Sequence, residues 1–216
     1  WLDAASERYG TVLTRLISNP SVTTTETVTI YAYPDAIQYS DVPREEIYEV
    51  LEAHLGKNYP EAYAKPIASP RQFFVCTHGR HDKCCAKFGQ RVYQALRERV
   101  EATHLPLDVW EATHLGGHRF AATLLEFPSG HMFGRVQPEQ VPSLLVGEVP
   151  SELHRGCSFH PPWMQALETY IREHCQAQAL RGEVQVAGDP TPQDGRLEVD
   201  FRIGSESAPW RLVLRQ

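Results

Sequence analysis

The chain has 216 residues, 42% of them hydrophobic, and so can bury a core of its own without disulfide staples. A formal net charge of −6 excludes a broad basic face for nucleic acid. No stretch approaches the roughly 18 uncharged apolar residues of a membrane span. The opening WLDAASERYGTVLTRLI is acidic and helix-compatible and lacks a basic leader followed by an apolar block, so a cytoplasmic protein is expected.

TETVTIYAY (25–33) is β-branched and aromatic with polar alternation, the pattern of a strand. SDVPREEIYEVLEAHLG (40–56) reads as a helix, with Ser40 or Asp41 as cap, Ile47, Val50, Leu51, His54 and Leu55 on one face, and Gly56 as stop. KNYPEAYAKPIASP (57–70) holds three prolines and no period, and is expected to be a connector and the seam of the chain. RQFFVCT (71–77) is a short buried strand. A helix follows over 86–102, with Val92, Leu96 and Val100 inward. Residues 107–112, 119–127 and 131–136 look like strands, the last two joined by the turn PSG. Two proline-opened helices are expected over 138–149 and 161–175. The tail carries three strand candidates, GEVQVAG, RLEVDFRI and PWRLVLRQ. Strands and helices alternating at this spacing predict an α/β or α+β layered domain.

Three of the five cysteines and two of the ten histidines fall within FFVCTHGRHDKCCAKFG (73–89). In a reducing compartment such a thiol cluster serves catalysis or metal binding more often than disulfide pairing. Cys76 ends a strand, and Cys85 opens the next helix after a polar, glycine-containing loop, so both sulfurs can meet at one sheet edge. Cys84 is its neighbour, and adjacent side chains diverge. Cys85 is preferred because the positive end of a helix favours a thiolate. In THLGGHRF (113–120), His114 and His118 flank Gly116 and Gly117. Two glycines disfavour a helix there, each costing about 1 kcal/mol relative to alanine, and give a loop the freedom to turn both imidazoles one way. Cys157 and Cys175 read as packing residues. His78, His81 and His131 read as solvent-facing or supporting residues. Arg80, Lys83, Lys87, Arg91 and Arg119 form either a solvated face or an offset for negative charge at the site.

The stretches CTHGRHDKCCAKFGQRVYQAL and VWEATHLGGHRFAATLLEFPSGHMFGRV resemble the sucrase/ferredoxin-like family, whose members are similar to thioredoxin-like [2Fe-2S] ferredoxins. The likeness runs over about residues 71–136 and more weakly through HRGCSFHPPWMQALE. It implies a [2Fe-2S] cluster held by Cys76, by Cys85 following Asp82, and by His114 and His118. Cys84 stands at a variable position. No carboxylate pair suggests glycosidase chemistry, and the sucrase activity in the family's label is set aside.

The resemblance implies a thioredoxin-like ferredoxin core over 67–178, with an N-terminal strand and helix extension or small lobe over 1–66 and a C-terminal β extension over 179–216. Two thiolates and two neutral imidazoles would leave an oxidised cluster neutral. That predicts a potential well above the approximately −400 mV of plant-type ferredoxins, toward the roughly −150 to +300 mV of Rieske centres. The imidazoles would couple the electron to a proton. The expectation is an electron carrier rather than a catalyst, serving a redox partner protein such as a flavin-containing one. A homodimer is compatible with this type of ferredoxin. The alternatives are a structural Cys2His2 zinc site and a thiol-based redox protein, the latter without the usual C-x-x-C pair.

Overall fold

In the computed structural model, the described residues are 2–9, 15, 17–18, 26–68, 71–80, 83–174, 184–186, 191–193, 196–203 and 210–215. The expectations for Asp82, His81 and Cys175 lie outside them. The chain divides into two compact units, Trp1–Glu148 and Val149–Gln216. Among the described residues no helix is long and apolar enough to cross a membrane.

The first unit begins with α1 (Leu2–Tyr9) and β1 (Ile17–Ser18), followed by β2 (Thr27–Ala32), β3 (Ile37–Pro43), α2 (Ile47–Leu55) and β4 (Ala64–Pro66). Strands β2, β3 and β4 form an antiparallel sheet in that order, with Val50 of α2 packed on Tyr39 and Val42. Helix α2 begins later than its sequence suggests, and Ser40 and Asp41 belong to β3 instead of capping it. The hydrophobic demand of Tyr39 and Val42, both fully buried, keeps this segment extended. Pro43 then holds an extended backbone and separates strand from helix. The segment read as a connector contributes β4, a short edge strand in which a terminal proline is tolerated.

A buried polar chain links α2 to this sheet. The Tyr39 hydroxyl meets His54 Nδ1 at 2.8 Å, and His54 Nε2 faces Asp35 Oδ2 at 3.5 Å. A carboxylate only accepts, so Nε2 carries the proton and Nδ1 accepts from the tyrosine. Burial pushes the Tyr39 hydroxyl up to about 12, which keeps it a donor. Lys57 and Tyr59 also bond Asp35. Burial lowers the pKa of His54, against the raising effect of Asp35 and with that of Lys57. Asp35 is held below the usual carboxylate range, first by its hydrogen bond from Lys57. A histidine whose folded pKa is depressed stabilises fully above its unfolded value, about 6.5, and loses that contribution as pH falls. Asp35 acts with the same sign at more acidic pH. The thermal midpoint is therefore expected to drop between pH 7.5 and 5.5, and His54→Gln to flatten that dependence. An unchanged slope in the variant would show that other groups set it.

The larger sheet carries the sulfur-rich segment. Its further strands are β5 (Gln72–Cys76), β6 (Asp108–Ala112), β7 (Leu124–Phe127) and β8 (His131–Phe133). A π-helical turn (Cys85–Gly89) and α3 (Gln90–Thr103) lie between β5 and β6, and α4 (Val141–Val146) follows β8. Within this unit the strands run in the order β1-β6-β5-β7-β8. β5 pairs parallel to β6 and antiparallel to β7, which pairs antiparallel to β8. A β-α-β unit extended by an antiparallel hairpin gives the mixed sheet with flanking helices that the sequence predicts. Every residue of central β5 is buried, which explains the apolar run from Phe73 to Cys76. Tyr31 and Tyr33 of the small sheet's first hairpin pack on Trp110, Phe74 and Phe127, with Tyr33 stacked on Phe127 at 3.8 Å. Arg71 pairs with Glu126 and donates to the carbonyls of Leu144 and Leu145, anchoring the end of α4.

The strand expected over 119–127 is shorter. His118–Phe120 form a single 3-10 turn, and pairing begins at Leu124. Two consecutive left-handed glycines, Gly116 (φ +88°) and Gly117 (φ +65°), turn the chain before this point.

In the second unit, β9 (His154–Cys157) packs with α5 (Pro162–His174). Strands β10 (Val184–Val186), β11 (Thr191–Gln193) and β13 (Trp210–Arg215) each pair antiparallel with β12 (Arg196–Ile203). One oxygen of Glu168 accepts from the Cys157 backbone N–H at 2.8 Å, and the other meets His160 Nδ1. Burial pushes the Cys157 thiol up, so it stays a neutral packing group.

Candidate metal centre

Three segments of the first unit meet at the C-terminal end of β5. Cys76 is the last residue of that strand and is fully buried. Its amide donates to the carbonyl of Thr123 at 3.0 Å, and the next amide, of Thr77, to that of Ala112 at 3.2 Å. The sulfur-bearing residue is thus held between β6 and the lead into β7.

Cys85 opens the π-helical turn that leads into α3 and is 1% exposed, whereas Cys84 is exposed. The turn reaches the strand end because Gly89 has no side chain. A Cβ at that position would lie 2.0 Å from the Cys76 carbonyl oxygen. An extra residue inserted into a helical turn is a device found at functional sites, and here it directs Cys85 inward. Gln90, the first residue of α3, donates to Glu111 of β6 and fixes the helix start against the parallel strand.

His114 arrives from the loop after β6 and is half-buried. The sulfurs of Cys76 and Cys85 and a ring nitrogen of His114 lie within 4.8 Å of one another. His118, on the 3-10 turn beyond the glycines, is exposed, its ring centroid 6.2 Å from that of His114. Of the four residues named from the sequence, three converge and the fourth stands beside them at the surface. Cys76, Cys84, Cys85 and Cys157 form no disulfides. His78 and His131 are half-buried, and Arg80, Lys83, Lys87, Arg91 and Arg119 are exposed.

The family described as Sucrase/ferredoxin-like matches residues 5–156. The chain belongs to this family. Two yeast relatives are each named Altered inheritance of mitochondria protein 32. The one from Debaryomyces hansenii is 30% identical over 92 residues, covering 38% of this chain and 34% of the relative. The one from Clavispora lusitaniae is 26% identical over 140 residues, covering 57% and 51%. The chain thus spans about a third to a half of the length of the curated relatives it matches. A solved thioredoxin-like [2Fe-2S] ferredoxin from Aquifex aeolicus is 23% identical, with 45% of this chain and 99% of that chain covered and a TM-score of 0.39.

The sequence pointed to the three side chains that converge in this Sucrase/ferredoxin-like chain but not to the residues that bring them together. Gly89 carried a signal, a glycine just inside a helix start where it costs about 1 kcal/mol. A cleft of about 610 Å³ also opens beside the donors, lined in part by Thr77, Ala86 and Thr113. These are the chain neighbours of Cys76, Cys85 and His114, so the cleft reaches all three converging segments.

Proposed function

We propose that Cys76, Cys85, His114 and His118 hold a [2Fe-2S] cluster and that the protein is a one-electron carrier whose electron uptake is coupled to a proton. The observation that carries this reading is the convergence of two thiols and an imidazole within 4.8 Å at a sheet edge, with His118 beside them. Two sulfur and two nitrogen donors suit a soft, iron-containing centre. When bound, such a cluster supplies a site that stores one electron.

The residues have distinct parts in this scheme. Cys76 and Cys85 are buried and supply thiolate charge from the protein side. His114 is half-buried and His118 exposed, and an imidazole bound through one nitrogen keeps the other for a proton. The exposure of His118 lets that proton exchange directly with water. A zinc site is the second reading, favoured by the compactness of the donor group. Tetrahedral ligands about 2.3 Å from one ion stand roughly 3.5–4 Å apart, close to the spacing of these three donors.

The cytoplasmic expectation belongs to the same proposal, since a reducing compartment preserves two thiolate ligands. Mitochondrial targeting, in keeping with the yeast relatives' names, is the alternative outcome of a localisation experiment.

Anaerobically purified protein should contain equimolar iron and sulfide, absorb in the visible and give an EPR signal when reduced. Its potential should fall by about 59 mV per pH unit across the range where one proton accompanies one electron. Changing both His114 and His118 to cysteine should lower the potential toward about −400 mV and remove that pH dependence. A colourless, zinc-containing protein without sulfide would overturn the redox reading.

A further inference from the structure

The surface around the candidate centre is charged against the grain of the whole chain. Arg80, Lys83, Lys87, Arg91 and Arg119 are all exposed and sit on the segments that carry the donors. The sequences 77–91 and 113–120 contain these five cations and one acid, Asp82, in a chain of net charge −6. Nearby Glu111, which lines the cleft, accepts a hydrogen bond from Gln90. Crowding like charges is unfavourable in the isolated molecule and draws an oppositely charged surface toward it.

The cleft borders this cationic rim at Arg80 and is also lined by Glu111. Arg80 lines it together with Thr77, Ala86 and Thr113, whose chain neighbours are the three converging donors. A group seated there meets the segments that carry the three converging side chains. The cations are spread over a loop, a helix start and a second loop, which suits a protein face better than a single small anion. Lys87 lies in the π-helical turn and Arg91 in the first turn of α3, so both belong to the helical segment that carries Cys85.

We propose that this rim is the docking surface of an acidic redox protein, with a carboxylate-rich element of that partner set against the exposed cations beside the cleft. The proposal rests on reading the adjacent site as an electron-carrying centre, but its binding arm is measured separately. The probe is an acidic plant-type ferredoxin, titrated calorimetrically against the full chain at about 20 mM and 500 mM salt, with stopped-flow electron transfer as a second readout.

Binding at low salt should weaken at least tenfold at high salt, and also in the variant R80E/K87E/R91E. The electron-transfer rate should fall by a similar factor in that variant, with its iron content and visible spectrum unchanged. The matched variant R44E/K65E/R99E, altered at exposed positions away from the rim, should retain binding within about twofold. If iron and sulfide are absent but salt-sensitive binding remains, the docking proposal stands and the redox reading fails. No binding at low salt, or an equal loss in the matched variant, overturns the proposal. So does tighter binding of a single-stranded oligonucleotide, which would assign the rim to nucleic acid.

Discussion

Replacing Cys85 by serine is expected to abolish metal retention, while the same change at Cys84 leaves the metal content as it was. The two residues are adjacent and chemically identical, so the expected difference comes entirely from the direction the backbone gives them. Cys85 is 1% exposed, and its sulfur groups with that of Cys76 and with a ring nitrogen of His114, whereas Cys84 faces solvent. Loss of a direct ligand should exceed the effect of changing a ligand's outer hydrogen-bond partner, which costs about 10–100-fold in affinity, so at least about 100-fold is expected. Part of any change in Cys85→Ser reflects a hydroxyl placed in a buried site, at about 1–3 kcal/mol. Unfolding of the metal-free proteins separates the two effects. The Cys84→Ser protein should unfold within about 0.5 kcal/mol of the parent, as surface substitutions do. Equal metal loss in both variants would show that the sulfurs exchange as ligands and would remove the assignment to Cys85.

The sheet edge itself was legible in the sequence because burial leaves a simple trace. A strand buried on both faces is mostly apolar, and FFVC after Gln72 is so, which places Cys76 at a strand end. The HLGGH motif was legible as a loop because paired glycines are costly in a helix, and both do adopt left-handed φ. The start of α2 was misplaced because Ser40 and Asp41 look like caps. Only tertiary packing of Tyr39 and Val42 against Val50 reveals that their segment is a strand. Strand β7 was read too long for a related reason: Arg119 to Ala122 are compatible with an extended chain, and the glycine turn before them decides otherwise. Strand β1, two residues paired with β6, is too short to leave a periodic signal. The π-helical turn has no sequence period of its own either, so its effect on Cys85 appears only in three dimensions.

That turn makes Gly89→Ala a damaging change outside the proposed ligands. The added Cβ would stand 2.0 Å from the Cys76 carbonyl oxygen and 3.1 Å from its carbon, both backbone atoms with no rotamer to escape into. Relief requires the start of α3 to move off the end of β5 by more than an ångström, and Cys85 sits on the part that moves. Overpacking of this kind costs about 1–3 kcal/mol, and the rigid neighbour puts this site at the upper end. Metal coordination tolerates only about 0.2 Å in ligand distance, so the same shift should strip the centre even where the fold survives. Gly56→Ala is the matching control: φ is −75°, its nearest atom would be 3.4 Å away, and near-parental stability and full metal content are expected. Thermal unfolding of metal-free protein together with metal analysis distinguishes the outcomes. A Gly89→Ala protein that keeps both its stability and its metal would mean that the helix start and the strand end are not rigidly coupled, and the close approach would no longer explain how the two cysteines meet.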